Sequence, residues 1–226
     1  MRYISVLSTL VTFAFVASVF SRYLRKRGTH LLLWSIGLAL YGLGTLTEAI
    51  MMFTFSPVAL KIWYLSGAML TAAWLGEGTV HLLVRKRNVA KTLTIVLTLV
   101  SLAAVVLIAV APIAGGATFD TTKPVSAQYR EILVRNGWII ALTIILNIYG
   151  SITLIGGALY SVYIFWRKRI LRDRMIGNIL IAIGALMPAM AGTLIKMGLA
   201  DWLYLSELLG AVLMYLGFLE AVRGKD

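Results

Sequence analysis

Apolar residues in this chain come in long unbroken runs, and the polar positions gather between the runs rather than alternating within them. Seven runs reach or approach the length of about 20 residues that a helix needs to cross a bilayer core. They cover roughly 3–21, 31–55, 62–84, 92–113, 138–166, 176–199 and 202–219. The fifth is the longest and has length to spare for tilting or for projecting beyond the membrane. Only a turn around Ala200 and Asp201 separates the last two. Pro112, then Gly115 and Gly116, close the fourth, since Pro and Gly are helix stop signals. Strands of a membrane barrel would alternate apolar and polar residues over about ten positions, and these runs do not. The pattern predicts an all-α, polytopic membrane protein with seven transmembrane helices.

Composition points the same way. Hydrophobic residues are 60% of the 226 and charged residues 13%, where a soluble domain carries roughly 45–50% and about 25%. Mean hydropathy is +0.90. The absence of Cys excludes a disulfide scaffold and thiolate-ligated metal or iron–sulfur chemistry. The net charge of +12 would suggest nucleic acid if it were spread over a surface. Its placement gives it another meaning. The first inter-run segment holds Arg22, Arg25, Lys26 and Arg27, and the third holds Arg85, Lys86, Arg87 and Lys91. Arg167, Lys168, Arg169, Arg172 and Arg174 lie in the fifth, and Arg223 and Lys225 follow the last run. These are 15 of the 21 basic residues, all on one side of the membrane. The positive-inside rule makes that side the cytoplasm, with the N-terminus outside and the C-terminus inside. The expected partners are membrane lipids and a partner protein at the basic cytoplasmic face, not nucleic acid.

The first run reads as a retained helix, because only Arg2 precedes it and a basic cluster follows, the reverse of a signal peptide's charge order. The one long loop, 114–137, is expected outside. It holds a turn-like stretch from Asp120 to Pro124, then Gln128 to Asn136, either a short surface helix or an extension of the fifth span.

Self-comparison suggests an internal repeat. Gly44-Thr45-Leu46-Thr47-Glu48 in the second span parallels Gly192-Thr193-Leu194-Ile195-Lys196 in the sixth. Trp63-Tyr64-Leu65-Ser66 parallels Trp202 with Tyr204-Leu205-Ser206, and the first and fifth spans both end in an aromatic-basic cluster. The chain is then one seven-helix domain, 1–226. A first triplet covers 1–91, a linker helix 92–113, the external loop 114–137 and a second triplet 138–226. Such a 3+1+3 parallel arrangement resembles the transporter–opsin–receptor superfamily, which includes microbial rhodopsins and SWEET sugar transporters. A second likeness is local. The run from Arg25-Lys26-Arg27-Gly28-Thr29-His30 through Trp34, Gly44, Glu48 and Trp63-Tyr64-Leu65-Ser66-Gly67 to Ala73-Trp74-Leu75-Gly76 resembles uncharacterised bacterial seven-helix proteins. It is also similar to the seven-helix sensor region of some histidine kinases. These resemblances imply a bacterial or archaeal plasma membrane and a sensor that signals through a partner. They also argue against retinal, because the seventh span has no Lys to form a Schiff base.

Ionisable residues inside spans are costly and mark candidate sites. Glu48, Lys196 and Glu207 fall in the outer halves of their spans. Together they predict either an outward polar pocket for a small zwitterionic or lipid-like ligand, or a structural ion pair with Lys196 reaching to water. Trp74 and Asn147 are added as pocket-lining candidates. Glu77 and His81, four apart, share one helix face. They fit a proton relay, a haem held with His30, or an interhelical hydrogen-bonded pair. Ala68, Ala72 and Gly76 form a small-residue ridge, as do Ala185, Ala189 and Thr193. Pro188 should kink the sixth span and serve as a hinge. No nucleotide loop, Ser-His-Asp order or metal-ligand cluster is evident, so an enzyme is not expected. The leading reading is a ligand-binding membrane sensor or accessory protein. A small-solute transporter and a structural subunit of a membrane complex are the alternatives.

Overall fold

In this computed structural model the described residues are 2–84, 86–116, 118–168, 171–190, 197 and 202–223, without the side chains of Arg2, Tyr3 and Arg87. They form eight helices. We name them α1 (Arg2–Lys26), α2 (Thr29–Met51), α3 (Pro57–Leu83), α4 (Arg87–Val110), α5 (Val125–Ile132), α6 (Gly137–Lys168), α7 (Arg172–Ala189) and α8 (Trp202–Arg223). The chain is thus an all-α polytopic membrane protein. Six helices (α1, α2, α3, α4, α6 and α8) are long and apolar enough to cross a bilayer. The seventh expected span, 176–199, begins within α7 and continues into residues outside the described ones. α6 is the longest, at 32 residues. Of the stretch 128–136, expected as a surface helix or an extension of α6, residues 128–132 belong to a separate short helix, α5, and 133–136 are not helical.

Local chemistry sets the helix ends. Arg27 closes α1 in the left-handed conformation, φ 51°, and donates its N–H to Tyr23 O at 2.7 Å. Ser56 caps α3 by accepting from the Ala59 N–H, with Pro57 in the first turn where its missing donor costs nothing. Asn136 caps α6, accepting from Ile139 N–H at 2.9 Å. The loop before it is pinned to the bundle by an isolated bridge between Ile113 and Leu133.

Helices approach closely at pairs of glycines seven residues apart, two turns of helix. Gly37 and Gly44 on α2 face α3, where a Cβ on Gly44 would lie 2.9 Å from Gly67 Cα. Gly150 and Gly157 on α6 face the other side of α3, at Ala72, Ala73, Gly76 and Thr79. Gly177 and Gly184 on α7 meet Gly217 and Gly210 on α8, where a Cβ on either of the latter would lie 2.6 or 2.8 Å from the opposing carbonyl oxygen. In lipid there is no hydrophobic drive between helices, so such backbone proximity carries the association. The Ala72 and Gly76 part of the expected ridge is a helix contact of this kind.

Two helices are interrupted by π-helical turns, Tyr64–Leu70 within α3 and Ile152–Gly156 within α6. A π turn inserts a residue and displaces backbone carbonyls from their usual donors. Side chains make up the difference. Thr71 Oγ1 donates to Ser66 O at 2.8 Å, and Asn147 Nδ2 donates across to Ala68 O at 2.8 Å.

The buried apolar residues fall into two clusters. One joins α3 to α4, α5 and α6 through Leu60, Trp63, Met69, Leu97, Ile108, Ile132 and Leu146. The other joins α1, α2, α7 and α8 through Phe15, Leu38, Tyr41, Ala185, Met214 and Phe218, and takes in Leu75 and Leu154.

Candidate functional site

A cavity of ≈ 380 Å³ lies where the two clusters meet, and residues of both line it. Its volume falls within the range of about 300–1,000 Å³ usual for small-molecule sites. Its acidic part is formed by Glu48 from α2 and Glu207 from α8. The Glu207 carboxyl and the Trp63 indole adjoin the Glu48 carboxyl. Glu48 is 1% exposed, and its Oε1 has no hydrogen-bond partner among the described residues. Tyr41 ties the two acidic helices together by donating its hydroxyl to Glu207 O at 3.0 Å. Two adjoining carboxyls in a low-dielectric interior repel each other strongly when both carry charge. Among the described residues no positive side chain pairs with either carboxyl, so the acidic part of the cavity is open to a cation or a proton donor.

The cavity extends to α5, where Tyr129 and Arg130 line it. Tyr129 packs on Trp63 and Tyr64 with ring centroids 5.4 and 5.5 Å apart. Arg130 Nε donates to Tyr129 Oη at 3.4 Å, a bond that raises the already high pKa of this exposed guanidinium. The site is therefore dipolar, with two carboxyls on the bundle side, one arginine on the loop side and aromatic rings between. Asn147, Pro188, Gly67 and Ala68 complete its wall next to the π turn of α3.

Glu77 stands in a separate place. It is fully buried, 0% exposed, on the part of α3 nearer the basic end. Thr94 of α4 donates to its Oε1 at 2.7 Å, and Tyr149 of α6 donates to its Oε2. His81 Nε2 lies 2.7 Å from Thr94 Oγ1 and 3.5 Å from Glu77 Oε1. Thr94 Oγ1 also lies 3.0 Å from Ala90 O, so this one hydroxyl joins Glu77, His81 and the backbone of α4. Every carboxyl oxygen here has a donor, and the set joins three helices.

Of the residues expected to form a pocket, Glu48, Glu207 and Asn147 come together. Trp74 does not join them. Its Nε1 donates to Ser101 Oγ at 3.2 Å and fastens α3 to α4, on a different face of α3. Lys196 lies outside the described residues, so the expected counter-charge is not placed. Pro188 lies in the last turn of α7 and borders the cavity, packing against Gly210. His30 stacks edge-on against Trp34, centroids 5.3 Å apart, while the Nε2 of His81 is already taken up by Thr94 and Glu77. Among the described residues no three His, Cys, Asp or Glu side chains gather as a metal site. Trp63, Tyr41, Tyr129 and Arg130 escaped the sequence reading of the pocket, and Thr94 and Tyr149 escaped that of Glu77. For Trp63 there was a signal, since an aromatic one helix away from a membrane-embedded carboxylate is a natural partner. For a Thr or Tyr in an apolar run there was none.

The described residues thus define a helical membrane protein with a cavity between its helices that Glu48 and Glu207 line. The chain matches no protein-family model, no curated protein and no solved structure.

Proposed function

We propose that this chain is a ligand-binding membrane sensor or accessory protein, and that its cavity takes a small zwitterion or lipid-like head group. The observation that carries the reading is the buried Glu48 oxygen, unpartnered among the described residues, in a cavity shared with Glu207. An ammonium group fits there, and a quaternary one gains further from the face of Trp63 or Tyr129. The anionic end of the ligand then turns towards Arg130. In this reading the cavity opens outward, the N-terminus is outside, and the basic loops face the cytoplasm, where a partner protein receives the signal. The two triplets of the 3+1+3 repeat flank the site.

Titration of the purified protein with glycine betaine, tetramethylammonium and acetate, followed by tryptophan fluorescence, tests this. Betaine should bind more tightly than either half-ligand, and Glu48→Gln should weaken it at least about tenfold, as for loss of the carboxylate that attracts the quaternary ammonium in a partly buried site. Equal response to betaine in the wild type and in Glu48→Gln would overturn the assignment.

A second reading, a transporter, is favoured by Pro188, which places a weakened helix turn at the cavity wall. Betaine flux into reconstituted vesicles, slowed by Pro188→Ala, would support transport. Binding without flux leaves the sensor.

A further inference from the structure

At the opposite end of the bundle, a groove between the last turns of α1 and α8 is lined by Ser18, Ser21, Arg22, Arg25, Glu220 and Arg223. Arg22 is only 7% exposed, and it has no hydrogen bond or ion pair among the described residues. The other charges in the groove are arranged differently. Arg25 is exposed in the last turn of α1, and Arg223 Nη1 sits 3.6 Å from Glu220 Oε2. Ser18 is already engaged, its Oγ 2.7 Å from Tyr215 Oη, a contact that fastens the two helices.

Most of the Arg22 side chain is buried, its guanidinium nitrogens are left to the groove, and they carry five donors to satisfy. We infer that the groove binds the phosphate of an anionic lipid head group, held in a fork by Arg22 and capped by Arg25. The charge balance allows it. Three guanidiniums face one carboxylate, and the negative ends of two helix dipoles subtract about half a charge each, which leaves roughly one net positive charge. Arg is suited to phosphate because its planar donors meet two oxygens at once. The surroundings select a lipid rather than a free ion. Phe20, Leu24, Leu216 and Leu219 lie on the same helix ends and are exposed by 42–50%. Leu219 lines the groove itself, and the other three leave apolar surface open to acyl chains on the same two helix ends.

The test is native mass spectrometry of the full chain in detergent, with phosphatidylglycerol and phosphatidylcholine supplied in equal amounts. The wild type should retain phosphatidylglycerol preferentially. Arg22→Gln should reduce that retention about tenfold and Arg25→Gln by less, the size expected for charge-assisted hydrogen bonds. Lys123→Gln, at the other end of the molecule, should leave it unchanged. Helical circular dichroism checks folding, and if Arg22→Gln fails to fold, any loss in Arg25→Gln decides the matter. Retention at the wild-type level in both arginine variants would overturn the site. Displacement of phosphatidylglycerol by millimolar inorganic phosphate would overturn the lipid assignment in favour of a soluble anion.

Discussion

Glu48 and Glu77 are both buried glutamates in apolar helices, exposed by 1% and 0%, and their surroundings are opposite. Glu77 receives Thr94 and Tyr149, with His81 beside it, so its two oxygens are met by donors from two neighbouring helices. Glu48 faces a second carboxyl and keeps one oxygen without a partner among the described residues, beside open volume. Burial alone does not separate a structural carboxyl from a binding one. Satisfaction does. A fully donated carboxyl is already doing its work in the fold, whereas an orphaned one beside a cavity holds interaction energy in reserve for a ligand.

The sharpest attack on this contrast is Glu77→Ala. It strands the Tyr149 hydroxyl and takes from the Thr94 hydroxyl its acceptor on α3. Interhelical hydrogen bonds in membrane proteins average about 0.6 kcal/mol, so losing two and leaving a donor unmet should cost about 1.5 kcal/mol. Unfolding in a denaturing-detergent titration measures it. A loss below about 0.5 kcal/mol would mean that the network is not structural and would restore interest in it as a proton relay.

Next in size is Asn147→Leu, which separates the two roles of the cavity wall. Asn147 supplies the donor that the π turn of α3 needs at Ala68 O. Its removal should destabilise the protein by about 1 kcal/mol and loosen the wall beside Gly67 and Ala68. Betaine affinity should fall only modestly, since the charged partners remain. A drop as large as that of Glu48→Gln would make Asn147 a direct ligand contact instead.

The helices were legible in the sequence because a span needs only a continuous apolar run, and α1 to α4 match such runs to within a few residues. Glu48, Glu207 and the Glu77–His81 pair were legible for an equally simple reason, since charge within a span has few innocent explanations. The π turns were not, because the inserted residue is stabilised by tertiary donors such as Asn147 that no local pattern announces. Nor was the loop side of the cavity. Tyr129 and Arg130 reach it only because the Ile113–Leu133 bridge and α5 fold the loop back over the bundle, a long-range pairing between two short irregular segments. Trp74 misled because depth in a helix says nothing about which face is turned to the cavity.

Glu48→Gln is a smaller perturbation of stability and the direct counterpart of Glu77→Ala. Removing an ionisable group that lacks a full set of partners should move unfolding by no more than about 0.5 kcal/mol, and in the stabilising direction if it moves at all. Binding should be lost while the fold is kept. Destabilisation by as much as Glu77→Ala would show that both glutamates are structural and would end the contrast.

The smallest effect is expected at the loop that roofs the cavity, and acid should reveal it. Asp120 accepts from the Thr122 hydroxyl at 2.6 Å and from the Thr122 N–H at 2.9 Å, with Lys123 Nζ 3.6 Å away. These bonds, the threonine's first, hold the Asp120 pKa below its ordinary value. A carboxyl depressed in the folded state contributes order that is present above its unfolded pKa and is lost as pH falls through the lower, folded one. Gln128 spans the same turn, its Oε1 accepting from Asp120 N–H and its Nε2 donating to Asp120 O, both at 2.9 Å. Protonation of Asp120 should therefore loosen the approach to α5, exposing the segment before it to proteolysis at a pH below the usual aspartate range, without changing global unfolding. Asp120→Asn should show that faster cleavage already at neutral pH and lose the acid step. The Glu77 network, at the far end of α3, should not register the change, and parallel loss of its tyrosine signal in the same acid titration would mean that the two ends of the bundle are coupled rather than independent.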